Sequence, residues 1–148
     1  MPSLNLPPLP QQLPRTQSDW ERFVNVFQSW ATFLDTGYQW NPATLLNGWT
    51  NLSASFNPAG FVLVSPNRVA CRGLILSGTL TDGTHLLTLP YKPAHQVVTV
   101  AAANAGPGFQ FARLDVDTSG NVLLFGASGF TPGAGWVSLD NLSFSLLP

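Results

Sequence analysis

Asn67-Arg68-Val69-Ala70-Cys71-Arg72-Gly73-Leu74-Ile75-Leu76-Ser77-Gly78-Thr79-Leu80 is the longest run in this chain that only a strand accommodates. Side chains of a strand alternate between faces, so Val69, Cys71 and Ile75 fall on one side and Arg68, Ala70, Arg72, Leu74 and Leu76 on the other. The run reads as half-buried at its start and buried on both faces later. A strand whose second face turns apolar meets another layer or another subunit. The stretch therefore predicts a sheet core and raises self-association at the same time.

Outward from this run, the chain from Gly48 onwards keeps a period of two, broken every several residues by turn signals. Strands are expected at 50–56, 61–64, 68–80, 85–89, 96–103, 109–116, 121–125, 136–139 and 142–146. The separators include Asn57-Pro58-Ala59-Gly60, Thr81-Asp82-Gly83-Thr84, Asp117-Thr118-Ser119-Gly120 and the long 126–135 loop, each supplying residues that preset a turn or tolerate positive φ. Short strands at this spacing predict a mainly β domain, an antiparallel, jelly-roll-like β-sandwich over 48–148. Leu142, Phe144 and Leu146 alternate with Ser143 and Ser145, so the last strand has one buried face and closes into the sheet.

Upstream the period changes. Ser18-Asp19-Trp20-Glu21 has Ser18 as N-cap and Glu21 in the capping-box position, so a helix is expected to start there. Trp20, Phe23, Phe27, Trp30 and Leu34 then recur at intervals of three and four, the seam of a bundle, with Val26 and Phe33 widening it. Two heptads are too short to hold a helix alone, so this stem must pack on its own domain or on other copies. Gly37 is the expected stop, and 17–47 makes a helical stem and linker. In residues 1–16, Pro2, Pro7, Pro8, Pro10 and Pro14 interleave with Leu4, Leu6, Leu9 and Leu13. Proline fixes φ and removes the amide donor, so the segment is extended and stiff. Regularly placed leucines suit an attachment peptide, with Leu4, Leu6, Pro7, Pro8 and Leu9 as the anchor; a solvated tail is the other reading.

Charged residues make up 9% of the 148, against about 25% in an average domain, while 45% are hydrophobic and the formal net charge is -1. A surface this poor in charge suits an assembled protein better than a free monomer. Six Lys and Arg, scattered singly, leave no basic stripe for nucleic acid. No run approaches the ~18–20 apolar residues of a membrane span, and the N-terminus lacks the pattern of a signal peptide, so membrane insertion is not expected. Cys71, the single cysteine, sits in the apolar run and reads as a buried, inert thiol.

Chemistry would need a site, and none assembles. Asp115-Val116-Asp117-Thr118-Ser119-Gly120 imitates the start of a calcium loop, but the bidentate glutamate position is Gly126 and the flanks are strands, so a hairpin turn is expected. Asp115 and Asp117 share a strand face as paired carboxylates do, without further support for a glycosidase. His85 and His95 stand alone, so no metal, cofactor or enzyme activity is expected.

The pieces Gly48-Trp49-Thr50, Arg68-Val69-Ala70-Cys71-Arg72-Gly73-Leu74, Thr88-Leu89-Pro90-Tyr91-Lys92-Pro93, Arg113-Leu114-Asp115, Gly120-Asn121-Val122 and Trp136-Val137-Ser138-Leu139-Asp140-Asn141-Leu142-Ser143-Phe144 follow one another in order. Together they resemble the C-terminal head of bacteriophage tail fibres and related receptor-binding proteins. Two departures stand out: the Leu-Pro-Tyr-Lys-Pro turn is short, and Asn141 stands where glycine is usual, a position at which asparagine tolerates left-handed φ. The resemblance implies a homotrimeric β-sandwich head on a helical stem, attached through its N-terminus to a baseplate, tail or capsid protein, and adhering to a glycan or protein of the bacterial surface. A capsid decoration fibre, or a soluble sugar-binding module stacking a saccharide on Tyr91 or Trp136, are the alternatives. Loops cluster at the ends of a sandwich, so Asn104 and Pro107, Phe130 and Thr131, and Tyr91 and Lys92 are the receptor-contact candidates, Phe130 doubling as a possible loop anchor.

Overall fold

The structure is a computed structural model that describes residues 16–36, 39–104, 108–127 and 129–147. The anchor residues Leu4, Leu6, Pro7, Pro8 and Leu9, together with Pro107 and the helix stop at Gly37, lie outside the described residues. Helix α1 (Gln17–Thr36) begins two residues earlier than expected. Thr16, not Ser18, is the cap: the Asp19 amide donates to Thr16 Oγ1 at 3.1 Å, and the Thr16 amide donates to the Asp19 carboxylate at 3.1 Å. Aspartate can close a capping box as glutamate does, and Thr16 with Asp19 has the same spacing as Ser18 with Glu21.

Eleven strands follow among the described residues: β1 (Asn41–Pro42), β2 (Thr50–Asn51), β3 (Gly60–Ser65), β4 (Arg68–Arg72), β5 (Leu74–Leu76), β6 (Thr84–Thr88), β7 (Val97–Asn104), β8 (Phe109–Val116), β9 (Asn121–Phe125), β10 (Trp136–Ser138) and β11 (Ser143–Ser145). They form two antiparallel sheets, one in the order β1-β3-β4-β11 and one in the order β2-β5-β10-β7-β8-β9-β6. The expected β-sandwich is present. Its core lies between the sheets, where Val69, Ile75, Leu86, Leu114, Leu124 and Val137 have no exposed surface. The last strand pairs through Phe144 with Val69, which buries its one apolar face as the alternation required.

The run at 68–80 is two strands in two sheets, not one. Arg68–Arg72 pairs with β3 and β11, and Leu74–Leu76 pairs with β2 and β10. The chain crosses at Gly73, whose φ of 113° side chains rarely adopt. There the ladder is replaced by a loop: the Gly73 amide donates to Asp140 Oδ1 at 2.9 Å, and its carbonyl accepts from the Leu139 amide at 2.8 Å. Asn141 does not use left-handed φ; the non-glycine residue that does, among the described residues, is Asn47 with φ of 53°. The turn at 139–142 closes instead by the Leu142 amide donating to the Leu139 carbonyl.

Helix α1 lies against the β3–β4 turn, where Asn25, Val26, Ser29 and Trp30 border a cleft of about 260 Å³ with Pro66. Phe23, Val26 and Trp30 are half-buried, while Trp20, Phe27 and Leu34 remain exposed. The expected seam is thus divided between a part packed in the protomer and a part left open.

Candidate functional site

The β7–β8 hairpin divides the receptor-contact candidates. Loop 126–135 reaches the end where β7 finishes: Trp136 opposes Asn104, and the Ser77 amide donates to the Gly135 carbonyl at 2.7 Å. Ser77, a residue no motif singled out, pins this loop. Its hydroxyl donates to the Thr131 carbonyl at 3.1 Å and accepts from the Gly133 amide at 3.0 Å. Thr131 is exposed and Asn104 half-buried. Tyr91 and Lys92 sit at the other end, beside the β8–β9 turn, where the Leu89 amide donates to the Gly120 carbonyl at 2.8 Å. Eight residues of strand, roughly 25 Å, separate the two ends, so Thr131 and Tyr91 do not form one surface.

Phe130 is 7% exposed and belongs to the core cluster. Its side chain is no contact surface but the anchor that ties loop 126–135 to the sheet, because an aromatic ring stabilises far more buried than left in water. Tyr91 is half-buried, edge-on to Phe61 with ring centroids 6.0 Å apart, which leaves Lys92 as the exposed partner of that pair.

The acidic residues of the β8–β9 hairpin are spent on structure. Asp117 accepts from the amides of Ser119 at 2.8 Å and Asn121 at 2.9 Å and from Asn121 Nδ2 at 2.9 Å, closing the turn. Asp115 accepts from Arg113 Nε at 2.8 Å, from Arg113 Nη2 at 2.6 Å and from Gln96 Nε2 at 2.9 Å. Its side chain is wholly covered, whereas that of Arg113 is 52% exposed and rests on the Phe125 ring at 4.6 Å. Among the described residues no group of three or more His, Cys, Asp or Glu could hold a metal ion. Cys71 is buried in the core, and burial pushes its thiol up to about 12.

The Arg113 hydrogen bonds hold the Asp115 carboxyl below its ordinary value, against the opposing push of burial. A depressed carboxyl stabilises the fold fully above its unfolded value, here 3.8, and that contribution is lost as pH falls through the lower folded value. Asp115→Asn is therefore expected to lower the melting temperature at neutral pH, the gap to wild type narrowing in acid below pH 3.8, as pH falls through the carboxyl's lowered folded value. Thermal melts at both pH values check this; a gap of equal size at both would remove the linkage.

Sequence reasoning missed the outer face of the seven-stranded sheet. Directly opposed residues of an antiparallel pair share a face. The register therefore places Val98 beside Asp115, Val100 beside Arg113, Ala102 beside Phe111 and Asn104 beside Phe109. Trp136, edge-on to Phe109 at 6.2 Å, continues the row on β10. Val98, Val100, Phe109 and Phe111 are 57, 58, 84 and 76% exposed. Residues 109–114 are apolar on both faces apart from Gln110 and Arg113, so alternation alone leaves their orientation open. Side-chain bulk would have turned the phenylalanines inward, yet Ala112 and Leu114 fill the core.

No family model matches the chain, and no curated protein matches it in sequence. Among solved structures the chain is similar to the receptor binding protein (gp15) of Listeria phage PSA, at 18% identity, covering 89% of this chain and 80% of that one with a TM-score of 0.58. At that identity the likeness is one of fold alone.

Proposed function

We propose that this chain is a bacteriophage virion protein that binds a receptor on the surface of its bacterial host, acting as a homotrimer by adhesion and not by chemistry. The fold shared over 89% of the chain with a phage receptor binding protein carries this reading. In it, residues 48–148 are the head, 17–47 the stem and linker, and 1–16 the peptide that docks on a baseplate, tail or capsid protein. The Ser77-pinned loop at 126–135, with exposed Thr131 and neighbouring Asn104, is the first receptor contact, and Lys92 at the opposite end the second. A rigid loop at the end of a sheet presents side chains at little entropic cost on binding.

The test is competition and location together. The purified full chain, added in increasing dose, is expected to block adsorption of the phage that carries it, and antibody against the chain to label the particle. A chain that labels particles but neither binds host cells nor competes would sink the receptor role.

A further inference from the structure

We infer that the outer face of β7 and β8, centred on Phe109, Phe111, Val98 and Val100, is the surface on which copies of this chain join, an assignment that rests on the homotrimeric reading above and gives it a location. These four side chains contribute little to the protomer, since they point away from the core and stay 57–84% exposed. An aromatic side chain buries ~150–250 Å² when covered. Two phenylalanines and two valines at these exposures make a patch of several hundred Å², at the upper limit of what monomers leave open and a large share of the ~800 Å² per partner in a specific interface.

The chemistry of the face selects its occupant. A saccharide needs several outward-pointing donors and acceptors to replace its water, and apart from Arg113 beside Val100, already engaged by Asp115, and Asn104, the row from Val98 to Phe109 is hydrocarbon. Its one buried charge, Asp115, is already engaged by Arg113 and Gln96. Covering the face therefore leaves no bare carboxylate, which is the condition for burying charge at an interface. Three copies around a threefold axis can each turn this face toward the axis, where the three apolar faces cover one another, while each pairwise contact joins different edges of the face. The 9% charge content leaves few groups to oppose such a contact.

The competing place is the stem, where Trp20, Phe27 and Leu34 are also exposed. Three full-length proteins decide: wild type, Phe109→Lys with Phe111→Lys, and Trp20→Lys with Phe27→Lys. Their masses are measured by sedimentation velocity at micromolar concentration, their folding by circular dichroism, and their binding to host cells separately. The head double variant is expected to sediment at one third of the wild-type mass, with assembly weakened at least ~100-fold, and to keep its β spectrum because both positions are exposed in the protomer. A head double variant that keeps the wild-type mass overturns the assignment; if it keeps mass but loses cell binding, the face is a receptor platform instead. A monomeric wild type overturns it as well. Dissociation of the head variant in a protein that never binds host cells would uphold this interface and sink the receptor reading.

Discussion

Gly73→Ala is expected to destroy the cooperative fold of the β-sandwich. An added Cβ would lie 2.7 Å from the Ala59 nitrogen, 2.8 Å from the Ala59 Cα and 2.8 Å from the Pro58 carbonyl carbon, at a φ of 113°. These are backbone atoms, and Ala59 cannot withdraw: its amide donates to Asn51 Oδ1 at 2.8 Å and its carbonyl accepts from the Ala43 amide at 3.0 Å. Steric overlap and backbone strain act together, so the cost is at least about 4 kcal/mol, the range kept for the most damaging single substitutions. Gly126→Ala is the control, with φ of 72° but nothing within 4 Å of its Cβ, and is expected to cost about 1–2 kcal/mol. Urea unfolding followed by tryptophan fluorescence measures both. A Gly73 variant no less stable than the Gly126 variant would show that the crossing between sheets tolerates a side chain.

Phe130→Ala is expected to cost about 3–5 kcal/mol, because the ring is buried in the core cluster under loop 126–135. Under the proposed receptor role, any loss of cell binding by this variant would follow loss of the loop's shape. Thr131→Ala, one residue on and exposed, keeps the backbone carbonyl that Ser77 bonds and is expected to change stability by less than about 0.5 kcal/mol. Reduced cell binding by Thr131→Ala with an unchanged unfolding curve would mark this loop as a contact surface. A Phe130→Ala protein within about 1 kcal/mol of wild type would show that Ser77, and not the ring, holds the loop.

Much of the architecture is legible locally. The strands β8 and β9 start and stop where alternation and the Asp117-Thr118-Ser119-Gly120 turn place them, and the helix is where aromatic residues recur at three and four. The short β1 at Asn41–Pro42 had no such signal, since two residues carry no period and a proline argues against a strand. The candidate site was less legible. Tyr91 and Thr131 are forty residues apart in a chain that reverses many times, and which end of the sandwich each reaches depends on every intervening connection.

By itself the sequence determined that residues beyond Gly48 form short antiparallel strands around an apolar core, because the alternation of side chains is a property of each segment and survives any arrangement of its neighbours. Val69, Cys71 and Ile75 are buried as that alternation requires, and the same alternation runs unbroken through Gly73, so it could not show that the pairing partners change there. Only the tertiary structure decided which face of β8 turns inward and what remains outside. Register couples strands distant in the chain, and it sets Ala112 and Leu114 against the opposing sheet while Phe109 and Phe111 are left to water or to another copy.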